Sequence, residues 1–314
     1  MKAVRFHEFG GPEVLRYEDV ETPVPGPGEV RVRVAATSFN GVDANIRAGY
    51  MQGPIPVALP HTPGLDVAGT VDALGQGVQG LAVGDRVVGF LPMTAPGAAA
   101  EHVLAPAELL TGAPRDLPLA DAAALPVVGL TAWQALFDHG GLRAGQRVLV
   151  NGAGGAVGGF AVQLAVEAGA HVTATASPRS AVRVKAAGAD EVVDHTLTDV
   201  AAAVTEPVDL VLNLAPLAPQ QLAALVPLVR DGGRLVSTTV WVPTPSDEER
   251  GVRGTDLFVR SDADQLADLV ARVNTGELLV DVAERVDLAD LPALHARAGA
   301  GDLPGKVVVL APAA

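Results

Sequence analysis

Val30, Val32 and Val34 alternate with Arg31 and Arg33, the period-two signature of a strand with one buried face. Residues 67–71 and 86–90 read as further strands. The segments GPGEV, GQGVQG and AVGDRV between them supply turn chemistry, with glycine covering positive φ angles. The first 120 residues therefore predict a curled, mostly antiparallel β module. From about Asp121 the pattern changes, and DAAALPVVGLTAWQALFDHGGL predicts helix on both sides of a loop. Short apolar strands then alternate with longer helical stretches. The strands are expected at 147–151, 171–176, 191–193, 208–213, 234–239 and 256–259, and the helices at 155–167, 180–187 and 220–229. Strand–helix units at this spacing predict a parallel sheet covered on both faces, hence an α/β fold. A helix at 262–274, a strand at 282–286, a helix at 288–298 and a strand at 306–310 follow. That tail lacks the strand–helix rhythm, and the pattern leaves open whether it rejoins the N-terminal module.

Composition removes several classes of function. The chain is 49% hydrophobic and 18% charged, the balance of a packed globular protein. Its net charge of −14 argues against a general nucleic-acid surface, which needs clustered Lys and Arg. Membrane insertion is not expected. The longest apolar stretch, around 120–133, is interrupted by Asp121 and Pro126 and is too short for a bilayer. The start MKAVRFHEFG shows no apolar segment ending in a processing site, so a cytoplasmic location is expected. Cysteine is absent, which removes disulfides, thiol catalysis and thiolate zinc ligation together. The seven histidines are scattered, with no His-x-x-x-His pair. His61 and Asp66 would need a third ligand that the loop PHTPGLD does not supply, so no metal site is expected.

The stretch VLVNGAGGAVGGFAVQLAVEAGAHVTATAS carries the most chemistry. A buried strand, Val148 to Val150, runs into a Gly-rich turn and then an apolar helix. Such a turn brings backbone N–H groups against a pyrophosphate, and the helix start adds a favourable field. Gly155 and Gly158 match the last two glycines of a dinucleotide fingerprint, one for phosphate approach and one for close helix–strand packing. The first fingerprint position is Ala153, with Gly152 and Gly154 beside it keeping the turn flexible. An NAD site usually carries Asp or Glu about 20 residues past the first glycine. No carboxylate occurs from His171 to Ala189, where Ser177, Arg179, Arg183 and Lys185 stand instead. Arg179 can pair bidentately with a 2′-phosphate and Ser177 can donate to it, so NADPH is the expected cofactor. Arg183 and Lys185 read as an ordinary basic helix face.

The opening MKAVRFHEFGGPEVLRYEDVETPVPGPGEVRVRVAATSFNGVDANIRAGY, with HTPGLDVAGTV, LPVVGLTAWQAL, NGAGGAVG, GADEVVDH and HARAGAGDLPGKVVVL, gives the chain a family likeness. It resembles the zinc-free quinone oxidoreductase branch of the medium-chain dehydrogenase/reductase superfamily over essentially its whole length. The resemblance implies a central Rossmann-type parallel-sheet domain at 122–262. It also implies a GroES-like, mostly β catalytic domain at 1–121, completed by 263–314, with the active site in the cleft between them. A homodimer that uses NADPH to reduce a small hydrophobic quinone, enone or related conjugated carbonyl is implied as well. Zinc-dependent relatives place a Cys after the first helix entrance and a Gly-His-Glu in the later loop. Here those places read Asn40-Gly41-Val42-Asp43 and Gly64-Leu65-Asp66.

By family position Asn40 and Asp43 are expected at the base of the substrate cleft, and Leu130 and Thr131 beside the nicotinamide. Gly155, Ala156 and Val157 are expected to clamp the pyrophosphate. His195 falls where many members carry a Tyr near the 2′-phosphate, and it keeps a hydrogen-bond donor there. Asn213 is expected on the adenosine or nicotinamide-ribose side of the cofactor, with Thr238 and Val259 nearer the nicotinamide. The chain departs from the family at Asn45, where members often have a Tyr, so that Tyr50 is the nearest ring along the chain. PTPSDEERGVRG is short and polar where longer-chained relatives insert a helix.

The implied reaction is hydride transfer to an electron-poor carbon, with the cofactor supplying reducing power and the protein supplying position and field. Asn40 is a candidate donor to the oxygen on which charge develops. Asp43 suits orienting Asn40, Arg47 or a water better than acting as an acid, because an ordinary carboxylate is ionised at neutral pH. The lack of an acid–base pair suits an activated acceptor and suits simple alcohol dehydrogenation poorly. Two other functions stay open: an enoyl reductase acting on thioesters, and a non-enzymatic NADPH-binding protein.

Overall fold

A computed structural model of the chain describes residues 1–239 and 241–312. It divides into two compact units, Met1–Val127 with the chain from Ser261 on, and Val128–Arg260.

In chain order the first unit begins with an antiparallel pair, β1 (Lys2–Phe6) and β2 (Leu15–Asp19). β3 (Glu29–Ser38) buries Val30, Val32 and Val34, and α1 (Gly41–Arg47) follows after two intervening residues, Phe39 and Asn40. β4 (Asp66–Leu74), β5 (Arg86–Phe90), β6 (His102–Pro106) and β7 (Leu110–Gly112) complete the N-terminal strands. The region 121–139 is helical almost throughout, without the expected loop: a 3-10 turn at Asp121–Ala124, then α2 (Pro126–Trp133), then a π-helical turn at Gln134–His139. Pro126 opens α2 instead of breaking it, since proline at a helix start forfeits only an N–H that would be orphaned there.

The second unit runs β8 (Arg147–Asn151), α3 (Ala156–Glu167), β9 (His171–Ala176), α4 (Ala181–Ala186) and β10 (Glu191–Asp194). It continues with α5 (Val200–Ala203), β11 (Val208–Asn213), α6 (Pro219–Ala223), β12 (Val229–Ser237) and β13 (Arg253–Asp256). Its six strands are all parallel, in the order β10-β9-β8-β11-β12-β13. The order reverses between β8 and β11, and in doubly wound sheets ligands bind at the carboxyl ends of the strands flanking such a reversal. Two expectations shift. The helix of 220–229 shortens to α6 because Pro227 has no N–H to continue it, and β12 starts at Val229. The sixth strand is Arg253–Asp256, not 256–259. It pairs with β12 with Gly254 opposite Leu235, and a Cβ on Gly254 would lie 2.3 Å from the Pro245 carbonyl oxygen, so the 244–245 loop passes close against this strand.

The tail returns to the first unit as α7 (Ala263–Thr275), β14 (Glu284–Asp287), α8 (Leu291–Gly299) and β15 (Val307–Leu310). β15 pairs antiparallel with β3, Val308 opposite Ser38 and Val309 opposite Thr37, in a seven-stranded sheet. Phe6, Ile46, Leu294, Val307 and Val309 share one apolar cluster there, each worth roughly 1.5–3 kcal/mol on burial. Arg285 on β14 adds a two-point ion pair to Asp121, both contacts at 2.7 Å. Among the described residues no helix is long and apolar enough to cross a membrane.

Candidate active site

In the second unit, polar side chains line up where the sheet order reverses. Asn151, the last residue of β8, donates through Nδ2 to Asn213 Oδ1 at the end of β11 at 2.8 Å. Thr175 on β9 donates to Asn151 Oδ1 at 2.9 Å and accepts from the Gly152 N–H at 2.8 Å. Asn213 Nδ2 in turn reaches the Ser237 and Thr239 hydroxyls at 3.1 and 3.3 Å. This ladder holds the Gly-rich turn from below. Gly152 takes φ +90°, a conformation that favours glycine, and Ala153 is buried beneath the turn. A Cβ on Gly158 would sit 2.4 Å from Ala153 Cα, so the start of α3 packs directly on the turn. A Cβ on Gly155 would meet only the Gly152 oxygen at 3.5 Å, leaving open space over the first turn of α3. Gly155 is the N-cap and has no side chain to satisfy the first N–H groups of α3, including those of Ala156 and Val157. A pyrophosphate fits this arrangement of open space and unsatisfied donors.

The end of β9 supplies the remaining contacts. His195 N–H bonds the Ala176 oxygen at 3.3 Å, which seats exposed His195 alongside Ser177. Arg179 is exposed and has no side-chain hydrogen bond or ion pair among the described residues. Arg183 is more than a basic face: its Nη2 donates to the Gly154 oxygen at 3.3 Å and leans on the Gly-rich turn. Lys185 donates to the Ala189 and Asp190 carbonyl oxygens in the segment between α4 and β10, at 2.9 and 2.8 Å. Thr238 follows β12 with its N–H on the Asn213 oxygen at 3.1 Å, and Val259 is half-buried beyond β13. On α2, Leu130 is fully enclosed and Thr131 is buried.

The first unit holds a buried charged cluster. The pairing of β15 with β3 brings Lys306, one residue before β15, against the end of β3. Its Nζ donates to Asn40 Oδ1 at 2.7 Å, to the Phe39 oxygen at 3.2 Å and to Asp66 Oδ2 at 3.4 Å. Asp66 Oδ2 also accepts from Asn40 Nδ2 at 2.8 Å and from the Ser38 hydroxyl. Its Oδ1 accepts the Val127 N–H at 2.7 Å, placing the carboxylate at the start of α2, where a negative charge is favoured. The side chains of Lys306 and Asp66 are 3% and 0% exposed, so both charges are dry and depend on each other. Burial lowers the Lys306 pKa, and the Asp66 and Asp43 charges oppose that shift. A zinc ion does not fit here, because an ammonium already faces the available oxygens. Among the described residues no three His, Asp or Glu side chains are placed to hold a metal.

Asp43, on the first turn of α1, accepts the Asn40 N–H at 3.1 Å and the Gly64 N–H at 3.0 Å, tying the entrance of α1 to the loop before β4. Arg47 is not its partner; that guanidinium bonds the Gly10 oxygen at 3.1 Å and His295 Nδ1 at 3.2 Å. Tyr50 is 70% exposed and lies outside the cluster.

Burial gives the first unit a pH signature. It pushes the Asp43 carboxyl up to about 6, so this carboxylate is not ordinary. Burial holds His61, against the Phe6 ring, down to about 4. His295 falls to about 3, through burial first and the Arg47 charge second. A histidine lowered on folding stabilises fully above its ordinary 6.5 and loses that contribution as pH falls through its folded value. A raised aspartate stabilises fully below its ordinary 3.8 and loses that contribution as pH rises through about 6. Between these limits the unfolded chain gains the protons of two histidines, and the folded chain keeps that of one aspartate. Stability is therefore expected to fall on acidification from about pH 6 to 4. Urea unfolding across that range checks the sign, and a rise on acidification would refute it.

The described structure thus brings Asn40 and Asp43 together and groups Gly152, Ala153, Gly155, Ala156, Val157 and Asn213 around one turn. Sequence reasoning missed Lys306, Ser38, Asn151, Thr175 and Ser237, and weighed Asp66 only as a metal ligand. Polar residues at the carboxyl ends of apolar parallel strands were an available signal for Asn151, Thr175 and Ser237.

Two family profiles match the chain: "Alcohol dehydrogenase GroES-like domain" over residues 26–115 and "Zinc-binding dehydrogenase" over residues 187–309. A chloroplast envelope quinone oxidoreductase homolog of Arabidopsis thaliana is 42% identical over 64% of this chain, an alignment that spans 63% of the plant protein. A chloroplastic quinone-oxidoreductase of Triphysaria versicolor is 32% identical over 98% of both chains. Among solved structures, a mycobacterial protein complexed with NADPH superposes with TM-score 0.86 at 32% identity, covering 99% of each chain.

Proposed function

From the chain's membership of the quinone oxidoreductase branch of the medium-chain dehydrogenase/reductase superfamily, we propose that it is a metal-independent, NADPH-dependent reductase of quinones and conjugated carbonyls, acting as a homodimer. The observation that carries the cofactor choice is exposed Arg179, without a side-chain partner among the described residues, beside Ser177 on a strand end with no carboxylate. Ala156 and Val157 N–H groups bind the pyrophosphate over Gly155, and Gly152 and Ala153 shape the turn beneath it. Ser177, Arg179 and His195 take the 2′-phosphate. Asn213, Thr238, Val259, Leu130 and Thr131 shape the nicotinamide side. When bound, NADPH supplies the hydride.

Asn40 offers an amide N–H to the acceptor oxygen as charge builds there. Asp43 holds the Asn40 backbone, and Tyr50 contributes an exposed ring to acceptor binding. The proton that completes the product comes from solvent, because both Asp43 oxygens already accept backbone N–H groups.

The test is NADPH oxidation with a panel of quinones, alkenals and enoyl thioesters, after prolonged chelation. Turnover is expected with the quinones and alkenals, with NADPH bound at least about tenfold tighter than NADH. Loss of activity on chelation, restored by zinc, would overturn the metal-free reading. Preference for thioesters would move the acceptor class. In fluorescence titrations Arg179→Ala is expected to weaken NADPH about tenfold, with little effect on NADH or on the maximum rate. Parallel weakening of both cofactors would reduce Arg179 to a structural role.

A further inference from the structure

Resting on that reading, we infer that Lys306 and Asp66 are positioning residues for hydride transfer: they lock the Asn40 amide so that it can act toward the acceptor oxygen only as a donor. An asparagine amide has two ends of nearly equal shape, and elsewhere it can turn over at small cost. Here the Oδ1 end faces an ammonium at 2.7 Å, which can only donate. The Nδ2 end faces a carboxylate at 2.8 Å, which can only accept. Turning the amide over would set N–H against N–H and oxygen against oxygen, in surroundings too dry to screen either contact. The orientation is therefore fixed, and one Nδ2–H remains without a partner among the described residues.

The charges do more than hold the amide still. An ammonium on Oδ1 draws density toward the oxygen and makes the remaining N–H a stronger donor, the cooperative strengthening expected in a buried chain of hydrogen bonds. All three Lys306 N–H bonds are used within the cluster, on Phe39, Asn40 and Asp66, so the arrangement is rigid before any acceptor arrives. Fixed donors aimed at developing charge need no reorganisation during the reaction. A merely structural clasp between β15 and β3 needs no buried charge, since well-packed apolar side chains serve that purpose at least as well.

The charge-neutral double variant D66N/K306M tests this without leaving a buried charge uncompensated. NADPH affinity, read by fluorescence, is expected to stay at the wild-type value, because the nucleotide turn belongs to the other unit. Single-turnover NADPH oxidation is expected to slow by about 100-fold, and more so for quinones of lower electron affinity, which lean harder on the donor. Lys306→Arg keeps the charge and should recover a large part of the rate. A folded double variant with wild-type single-turnover rates overturns the inference, as does a loss equal for every quinone, which is the mark of a structural role. Should the double variant not fold, the wild type decides. The chain has five asparagines, Asn40, Asn45, Asn151, Asn213 and Asn274, few enough for asparagine-selective ¹⁵N labelling. One Asn40 side-chain proton is expected to move downfield on adding a hydroquinone with NADP⁺, and an unmoved signal overturns the inference. Wild type that oxidises NADPH with no acceptor overturns the functional reading itself, and this role with it. An active wild type with indifferent variants overturns only this role.

Discussion

Lys306→Met is expected to lower the unfolding free energy by roughly 3–5 kcal/mol, among the larger losses a single substitution can cause. The methionine fills the space of the lysine stem, so the loss is not a packing effect. It arises because Asp66, with a fully buried side chain, loses its one cationic contact among the described residues, while Asn40 Oδ1 loses its donor. Ser38, Asn40 and the Val127 N–H still support the carboxylate, which places the value toward the lower end of that range. Adding Asp66→Asn removes the stranded charge and is expected to return most of the stability, since a buried ion pair and its neutral replacement are often close in energy. The nonadditivity of the pair in urea denaturation is the measurement. If Lys306→Met and Asp66→Asn simply add, the two charges are not coupled and the cluster has been misread.

That cluster shows where sequence reasoning stops. The strand, Gly-rich turn, helix and second strand of the nucleotide site were readable because they are contiguous, and the chemistry of each position follows from its neighbours. Asp66 and Lys306 are separated by 240 positions, and nothing local to either says that they meet. Their contact exists only because β15 lies antiparallel to β3 in one particular register, which puts the residue before β15 beside Phe39 and Asn40. The periodicity of the tail announced a strand at its end but not the strand it would join. Helix boundaries failed for a different reason. Pro126 and Pro227 look alike as punctuation, yet one begins a helix and the other ends one, because the outcome depends on which carbonyls and carboxylates wait nearby. For Pro126 one such partner is the Asp66 carboxylate, which accepts the next N–H at 2.7 Å. The open space over Gly155 was legible as a requirement of phosphate approach, and the support under it was not, since Asn151, Thr175, Asn213 and Ser237 come from four separate strands.

Gly155→Val is expected to weaken NADPH and NADH alike by at least about 100-fold, some ~2.7 kcal/mol, while leaving the fold standing. The two halves of that expectation have separate causes. Gly155 has φ −81° and ψ 173°, extended backbone that a β-branched residue adopts readily, and its added Cβ would make only an ordinary contact at 3.5 Å. Losing glycine at an N-cap costs about 1 kcal/mol or less, too little to unfold the unit. A dinucleotide, by contrast, must bring its pyrophosphate against the first N–H groups of α3, and the valine methyls would fill that approach. Gly158→Val is the control that fails differently: its Cβ would fall 2.4 Å from Ala153 Cα, so backbone must move and stability drops by roughly 1–3 kcal/mol or more. Fluorescence titration with both cofactors, beside a thermal melt of each variant, separates these outcomes. Loss at Gly155 that spares NADH would contradict a pyrophosphate seat, because that group is common to both cofactors and only the 2′-phosphate distinguishes them. Unchanged binding of both would mean that the nucleotide does not approach the start of α3 at all.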